Sequence, residues 1–252
     1  MQDVMDYRRS LERSSLSRKR REGASTFTMQ GREWDLLPGV FAPADSPSTA
    51  TALGLLGLAG SAAAARGSLL EIGCGTGLIA VSGAVAGCER VVASDINPAA
   101  VENAQLNAGR HGVAHKVRTV HSDLFDGLDP DERFDTVFWS SNYVMAPESY
   151  RYQHMHERAY VDAGYAAHRR FLAEAWRRTT PNGSVLLHFS TRGDLMALMG
   201  IAYECGRALR ILRTVPVQEG EHLVQHMLLE VVERRRPGGR ADAVPAQAGR
   251  RG

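Results

Sequence analysis

The sequence predicts an α/β protein built on a doubly wound, mostly parallel sheet, with a small hairpin and helix ahead of it. Three observations carry this expectation. Leu69-Leu-Glu-Ile-Gly-Cys-Gly-Thr-Gly77 is an apolar run that ends in glycines at 73, 75 and 77 and passes into an apolar, helix-compatible segment, the pattern of a strand, a tight turn and a helix. A second apolar run, Arg90-Val-Val-Ala-Ser-Asp95, closes on a carboxylate about twenty residues later, where an acidic side chain suits a ribose with two free hydroxyls. Beyond it, strand-like and helix-like segments alternate to residue 232, and such alternation means parallel strands joined by helical crossovers.

Taken in order, Ser25-Thr-Phe-Thr-Met29 and Arg32-Glu-Trp-Asp-Leu-Leu37 flank Gln30-Gly31 and read as a hairpin. Small polar residues at 46, 48 and 49 open a helix running from Thr49 to Leu58. Strands are expected over 68–73, 90–95 and 116–121, with connecting helices over 77–87 and 98–111. Phe134-Asp-Thr-Val-Phe-Trp-Ser140 is the fourth strand of this series. A helix from Gly164 to Arg178 follows, stopped by Pro181-Asn-Gly183. Ser184-Val-Leu-Leu-His-Phe-Ser190 makes a fifth strand, and Arg192 to Arg207 the next helix. Ile211 to Pro216 and His222 to Val232 complete the pattern, the latter apolar enough for a central strand.

Composition bounds the class. A chain of 252 residues suits one α/β domain with appendages and a sizeable core. No apolar run reaches the ~18 residues that span a bilayer, and the arginines near the N-terminus lack a following apolar stretch of the secretory type, so a cytoplasmic protein without membrane partners is expected. The three cysteines, 74, 88 and 205, form no CxxC pair and read as reduced thiols. Residues 1–22 carry a net +3 and residues 234–252 a net +5. Because the whole chain stands at +2, the body between them is at −6. Both ends read as disordered basic extensions, and an acidic body lacks the basic face of a nucleic-acid enzyme. The resulting division is a tail over 1–22, a hairpin and helix covering the site over 23–66, a catalytic domain over 67–233, and a second tail.

The glycine run departs from the dinucleotide fingerprint Gly-x-Gly-x-x-Gly, whose third glycine would fall at Leu78. Glu71-Ile-Gly-Cys-Gly-Thr-Gly77 instead resembles the glycine loop of class I S-adenosylmethionine (AdoMet)-dependent methyltransferases, whose ligand brings no pyrophosphate to the loop. Asp95-Ile-Asn-Pro-Ala-Ala-Val-Glu-Asn-Ala is similar to the second motif of that family, and His121-Ser-Asp-Leu-Phe to the third. The resemblance spans roughly residues 65–145. It implies a Rossmann-like, seven-stranded sheet with the last strand inserted antiparallel, and AdoMet as cofactor. It places Glu71, Gly73, Gly75, Thr76 and Gly77 at the loop, Asp95 on the ribose, Ile96 and Asn97 beside it, Asp123 and Leu124 at the adenine, and Ser140 at the cofactor's edge. No metal site is implied.

In open α/β sheets the ligand lies beyond the carboxyl ends of the strands, so the reacting groups belong at the end of the fourth strand. The amino-N-methyltransferase branch of the family carries Asn-Pro-Pro-Tyr there. Gly39-Val-Phe-Ala-Pro-Ala-Asp-Ser-Pro-Ser-Thr49 also resembles that branch, in particular its protein-glutamine methyltransferases. This chain departs by reading Ser140-Ser141-Asn142-Tyr143. Ser141, Asn142 and Tyr143 are the candidate acceptor-orienting residues, with Asn142 supplying the carbonyl that Ser140 lacks. Residues 143–165, with Tyr143, Tyr150, Tyr152, His154, His156, Tyr160 and Tyr165, read as an inserted lid whose aromatic faces suit a sulfonium. Trp34 and Trp139 are candidates for the pocket wall or the core.

The function implied is AdoMet-dependent methyl transfer to a small molecule, most naturally at nitrogen, with nucleic acid not expected as partner. Two alternatives stand beside it. The strand-four loop also resembles that of AdoMet cyclases forming azetidine-2-carboxylate and methylthioadenosine, in which AdoMet itself is the substrate. The loss of Asn-Pro-Pro-Tyr also fits a non-catalytic AdoMet-binding partner subunit.

Overall fold

The computed structural model describes residues 6–20, 23–59 and 67–234. Helix α1 (Tyr7–Arg20) comes first, followed by β1 (Ser25–Met29) and β2 (Arg32–Leu36), which pair antiparallel around Gln30-Gly31. Helix α2 (Ser48–Leu56) leads toward the sheet. Strands β3 (Ser68–Ile72), β4 (Arg90–Asp95) and β5 (Val117–His121) are joined by α3 (Leu78–Val85) and α4 (Pro98–Arg110). After β6 (Phe134–Ser140) the chain leaves the sheet to form β7 (Val144–Ala146), a 3-10 turn (Met155–Ala159) and β8 (Val161–Ala163), the two strands pairing parallel as a separate ribbon. Helix α5 (Ala166–Glu174), β9 (Thr179–Ser190), α6 (Leu195–Glu204), β10 (Arg207–Glu219) and β11 (His222–Glu233) complete the fold.

The sheet has seven strands in the order β5-β4-β3-β6-β9-β11-β10. The first five run parallel, and β11 lies antiparallel between β9 and β10. This is the doubly wound, mostly parallel sheet that the alternation of elements predicts. Strand β3 is buried along its whole length, as a parallel strand covered on both faces must be. One face packs Ile72, Val137, Phe171, Leu187 and Phe189 together, and the other packs Leu53, Leu69, Leu78, Val91 and Phe138. Among the described residues no helix is long and apolar enough to cross a membrane.

Three expectations change. Pro181-Asn-Gly183 does not lie beyond a helix end in a loop but sits inside β9, which begins at Thr179, and a register shift between Phe134 and Thr136 accommodates it. The strand expected over 211–216 runs from Arg207 to Glu219. The largest correction concerns residues 1–22, expected as a disordered basic tail: residues 7–20 form α1. Its inner face buries Ser10, Ser14 and Ser17, at the i, i+4, i+7 spacing of one helical stripe. Ser14 Oγ lies 2.8 Å from His156 Nδ1, and Ser17 Oγ donates to Asp45 at 2.8 Å. Tyr7 and Leu11 add apolar contact against Val144, Tyr160 and Val161. A reading tuned to apolar stripes misses a helix that docks through hydroxyls. Residues 60–66 and 235–252, assigned to the N-terminal extension and the second tail, lie outside the described residues.

The hairpin is held by two asparagines one turn apart on α4. Asn103 and Asn107, both fully buried, accept from Leu37 N and Asp35 N at 2.8 Å and donate to the Asp35 carbonyl at 2.8 and 3.0 Å. Their carboxamides give the β2 edge the partners that another strand would supply. Asn107 also donates to the Thr76 carbonyl at 2.9 Å, tying the hairpin to the glycine loop.

Gly77 shows why that loop needs its last glycine. Its φ is +75° and an added Cβ would lie 2.7 Å from the Ala104 backbone on α4. Gly77→Ala is expected to cost about 2–4 kcal/mol, from left-handed backbone strain and overpacking together, as read by urea unfolding. A change below about 1 kcal/mol would mean that the loop and α4 can separate freely.

Candidate active site

A cavity of about 680 Å³ opens at the carboxyl ends of β3, β4 and β6, the crevice at which the strand order reverses. The glycine loop, the 39–49 segment, α1 and the 143–165 insertion all contribute walls.

Asp95 organises the cofactor side. Its Oδ2 accepts from Gly75 N at 2.9 Å and its Oδ1 from Asn97 N at 2.8 Å, leaving each oxygen a further lone pair for a ribose hydroxyl. Burial raises its pKa above the ordinary carboxylate value, with the Asn97 and Gly75 N–H groups acting against the rise. At Gly75 a Cβ would meet nothing within 4 Å, so the backbone there leaves room for a ligand against it. Leu124 holds φ +52°, a strained conformation for a leucine. Ser122 Oγ pins the turn, donating to the Leu124 carbonyl and accepting from Gly127 N, each at 2.9 Å. Asp123 is half exposed, with Oδ1 paired to Arg170 at 3.1 Å, which leaves Oδ2 for an adenine amino group. The Ile96 carbonyl meets His121 Nε2 at 2.9 Å.

Other candidates of the sequence have structural duties. Glu71 is buried and accepts from Ala80 N at 2.7 Å, so it caps α3. Burial pushes its pKa well above the ordinary carboxyl value, with the Ala80 bond opposing. Asn97 caps α4 by accepting from Ala99 N and donates to the Gly39 carbonyl at 2.9 Å. Thr76 is buried and offers its carbonyl to Asn107. Gly77 packs on Ala104. Gly73 faces Trp139, its Cβ position 3.3 Å from Nε1. Trp139 lines the cavity and packs at a tilt against His168 and Phe171, whereas Trp34 is core, donating to the Met29 carbonyl.

At the end of β6 the four polar residues divide. Ser141 lines the cavity and is buried, and its hydroxyl donates to the His188 carbonyl at 3.1 Å, which ties β6 to β9 and leaves its oxygen able to accept. Ser140 Oγ and Tyr143 Oη lie 3.0 and 3.1 Å from His188 Nδ1. Tyr143 has its pKa raised by burial and keeps its proton. Asn142 donates to the carbonyls of Arg158 and Val161, both at 2.8 Å, while its Oδ1 is buried with no partner. In the insertion Tyr150, Tyr152 and Tyr160 line the cavity, but Tyr165 is core, its hydroxyl donating to the Tyr143 carbonyl.

The sequence reading did not single out His188, His226, Glu219 or Arg192 for function. His188 Nε2 lies 2.9 Å from His226 Nδ1, and His226 Nε2 lies 2.9 Å from Glu219 Oε1. The available signal was a histidine inside each of two apolar strands, a costly placement without partners.

Residues 69–162 match the model of a methyltransferase domain. That stretch holds the glycine loop and Asp95, and it is similar to the methyltransferase domain of AdoMet-dependent enzymes. AdoMet is the cofactor of this domain. A bifunctional methyltransferase of Rickettsia felis is 30% identical over 137 residues, 50% of this chain and 25% of that protein. The release factor glutamine methyltransferase of Rhodopirellula baltica is 37% identical over 82 residues, 32% of this chain and 28% of that one. The solved T. thermophilus 16S rRNA N2 G1207 methyltransferase, in complex with AdoMet and guanosine, shares the fold with a TM-score of 0.58 at 22% identity, covering 84% of this chain and 50% of that one. The chain spans about a quarter of the length of the two curated relatives. Two of these proteins are named for macromolecular substrates, a release factor and ribosomal RNA. That overturns the expectation of a small molecule, or AdoMet itself, as the substrate with nucleic acid not expected. Net charge governs steering, not the chemistry that a deep pocket admits.

Two measurements follow from this geometry. Asp95→Ala is expected to weaken AdoMet binding about 10- to 100-fold, the loss of hydrogen bonds to a charged acceptor, in a protein that still unfolds cooperatively. Unchanged affinity by calorimetry would remove Asp95 from the ribose site. The second concerns α1. Burial first, then the Arg18 charge, lowers the His156 pKa to about 4. Undocked, this ring takes a proton at the ordinary histidine pKa of ~6.5, whereas docked it stays neutral to about 4. The helix should therefore loosen as pH falls through that window. Hydrogen exchange of residues 7–20, corrected for intrinsic rates, should rise between pH 7 and 5 in the wild type and stay flat in His156→Gln.

Proposed function

We propose that this protein transfers the methyl group of AdoMet to a nitrogen of a macromolecular acceptor, presented to the cavity as one protruding group. The observation that carries this reading is Asn142. Two backbone carbonyls accept from its amide nitrogen, and a carbonyl accepts only from N–H, so the orientation of the carboxamide is fixed. The atom left buried and unpaired is Oδ1, an acceptor without a donor at the end of β6. An incoming N–H group would satisfy it and recover the roughly 1–3 kcal/mol that an unpaired buried carbonyl costs.

The chain's own residues then have separable duties. Gly75 and Asp95 hold the cofactor, with Leu124 against it. When bound, AdoMet supplies a methyl group activated by its sulfonium. Asn142 aligns the attacking nitrogen, a contribution of orientation that requires no metal. The insertion and α1 wall the cavity and exclude water from it. The glutamine-directed relative supports a carboxamide or amine on a protein as the first acceptor class to examine.

Asn142→Ala should lower kcat roughly 30- to 100-fold while leaving AdoMet affinity nearly unchanged, since its bond is worth most when the nitrogen is aligned for attack. The assay follows labelled methyl from AdoMet into release factor, ribosomal protein and ribosomal RNA, with S-adenosylhomocysteine formed in equal amount. Full activity of Asn142→Ala would show that another polar group orients the acceptor. Methylthioadenosine with no label transferred would mean that AdoMet is cyclised. AdoMet binding with neither product would mark a non-catalytic subunit.

A further inference from the structure

A row of buried polar side chains crosses the carboxyl edge of the sheet, one strand at a time. It starts at Ser140 on β6, which pairs in register with His188 on β9. From His188 it steps to His226 on β11 and then to Glu219 at the end of β10. Both histidines are fully buried, and Glu219 is 12% exposed. Glu219 Oε2 is in turn paired with Arg192 at 3.0 Å, and Arg192 reaches Ser10 of α1 at 3.4 Å.

With both rings neutral, the charge at one end sets every proton in the row. Burial would raise the Glu219 pKa, but the His226 hydrogen bond and the Arg192 charge outweigh it and the net direction is down. Glu219 is therefore a carboxylate, which only accepts. A neutral His226 then carries its proton on Nε2, toward Glu219 Oε1, and its Nδ1 is a lone pair. That lone pair requires a proton on His188 Nε2. His188 Nδ1 is consequently the free lone pair, and it faces the hydroxyls of Ser140 and Tyr143 at 3.0 and 3.1 Å. Burial and the neighbouring His226 hold the His188 pKa well below the ordinary histidine value, so the ring is neutral near pH 7. The other groups facing this row are Arg13 of α1 and Arg192, both cationic, and Ser48 of α2, which bonds Tyr143.

We propose that His188, His226 and Glu219 form the proton outlet of the transfer reaction, drawing the proton of the attacking nitrogen through Ser140. This rests on the proposed attack by nitrogen. As the N–C bond forms, the C–S bond breaks with its electron pair going to sulfur, and the nitrogen must shed one proton. That proton passes to Ser140 Oγ as the serine proton moves to His188 Nδ1. The His188 Nε2 proton moves to His226 Nδ1, and the His226 Nε2 proton to Glu219. The positive charge lost at sulfur thus reappears as a proton on a carboxylate at the partly exposed end of the row, from which water removes it. In a Ser-His-Asp arrangement the carboxylate orients the imidazole and stabilises its charge without taking the proton; the transfer onto Glu219 is the added step of this proposal. Here two imidazoles in series carry the carboxylate's influence from β10 to β6. His188 and His226 do not line the cavity, so they act through Ser140 as relay residues.

Two readouts test this, the first independent of turnover. In protein labelled with ¹⁵N-histidine, long-range ¹H–¹⁵N spectra at pH 7 should show His188 and His226 both neutral and both protonated on Nε2, with and without AdoMet. A proton on His188 Nδ1, or an imidazolium at either ring, would overturn the relay whatever the acceptor proves to be. The second readout uses Glu219→Gln, which keeps the shape and removes the charge. It should lower kcat about tenfold with AdoMet affinity unchanged. It should also move the acidic limb of the kcat–pH profile to lower pH, because histidines without a carboxylate are less basic. His188→Gln should lower kcat about 100-fold or more, the range of general-base catalysis, and lose that limb. Folded Glu219→Gln protein with wild-type kcat and pH profile would reduce the row to a structural network. If no acceptor is methylated at all, the reading of the reaction fails, and the spectra alone decide the direction of the row.

Discussion

The arrangement of the cofactor side depends on one carboxylate. Asp95 closes β4 and accepts from Gly75 N and Asn97 N, joining the turn after β3 to the start of α4. Every outer layer is hung from that join. Asn97 continues it to the Gly39 carbonyl, which fixes the entrance of the 39–49 segment. Asn107, further along α4, continues it to Thr76 and to the hairpin. These bonds are short, buried or half-buried, and directional, so the loop geometry is set before any ligand arrives. Preorganisation of this kind reduces the ordering that binding would otherwise require.

A second constraint runs the other way across the sheet. Burying two imidazoles, a carboxylate and a guanidinium costs free energy unless each is paired, and here each is. Arg192 is the hinge of this arrangement: it neutralises Glu219 and meets Ser10 on α1. Helix α1 thus closes the cavity and completes the electrostatic setting of the histidine row. Its docking through serines and His156, with little apolar contact, keeps that closure weak enough to respond to conditions. The low dielectric behind it strengthens the interactions of the groups at the end of β6.

Much of the fold was legible in the sequence because it rests on short-range chemistry. The glycines at 73, 75 and 77, the carboxylate at 95 and the alternation of apolar runs each have a local physical cause, and the sheet order follows from them. Boundaries failed where tertiary structure overrode local signals, as at Pro181-Asn-Gly183, absorbed into β9 by a register shift. Helix α1 was illegible because its buried stripe is Ser10, Ser14 and Ser17, residues that composition assigns to solvent. Asp95, Leu124 and Asn142, named from the sequence, line the cavity, and Glu71, Asn97 and Ser141 line it as well while making cap and strand-to-strand bonds that the sequence did not announce. The histidine row was hidden because its members are 38 and 7 residues apart and meet only when β9, β11 and β10 lie side by side.

The departure from Asn-Pro-Pro-Tyr and the histidine row are one feature. Ser141 donates through its backbone nitrogen to the His188 carbonyl at 3.3 Å and through its hydroxyl at 3.1 Å. A proline at 141 has no N–H and no hydroxyl, so it could make neither bond. A proline at 142 would remove the carboxamide that grips Arg158 and Val161. The first serine, in place of asparagine, is what puts a hydroxyl against His188 Nδ1. Each replacement therefore couples the end of β6 to a neighbour: Ser140 to the ring of His188, Ser141 to its backbone, Asn142 to the insertion. A rigid clamp made within one loop has given way to a site held from β9 and from the lid. In the proposed reaction, the orientation of the attacking nitrogen and the removal of its proton then depend on the same few residues.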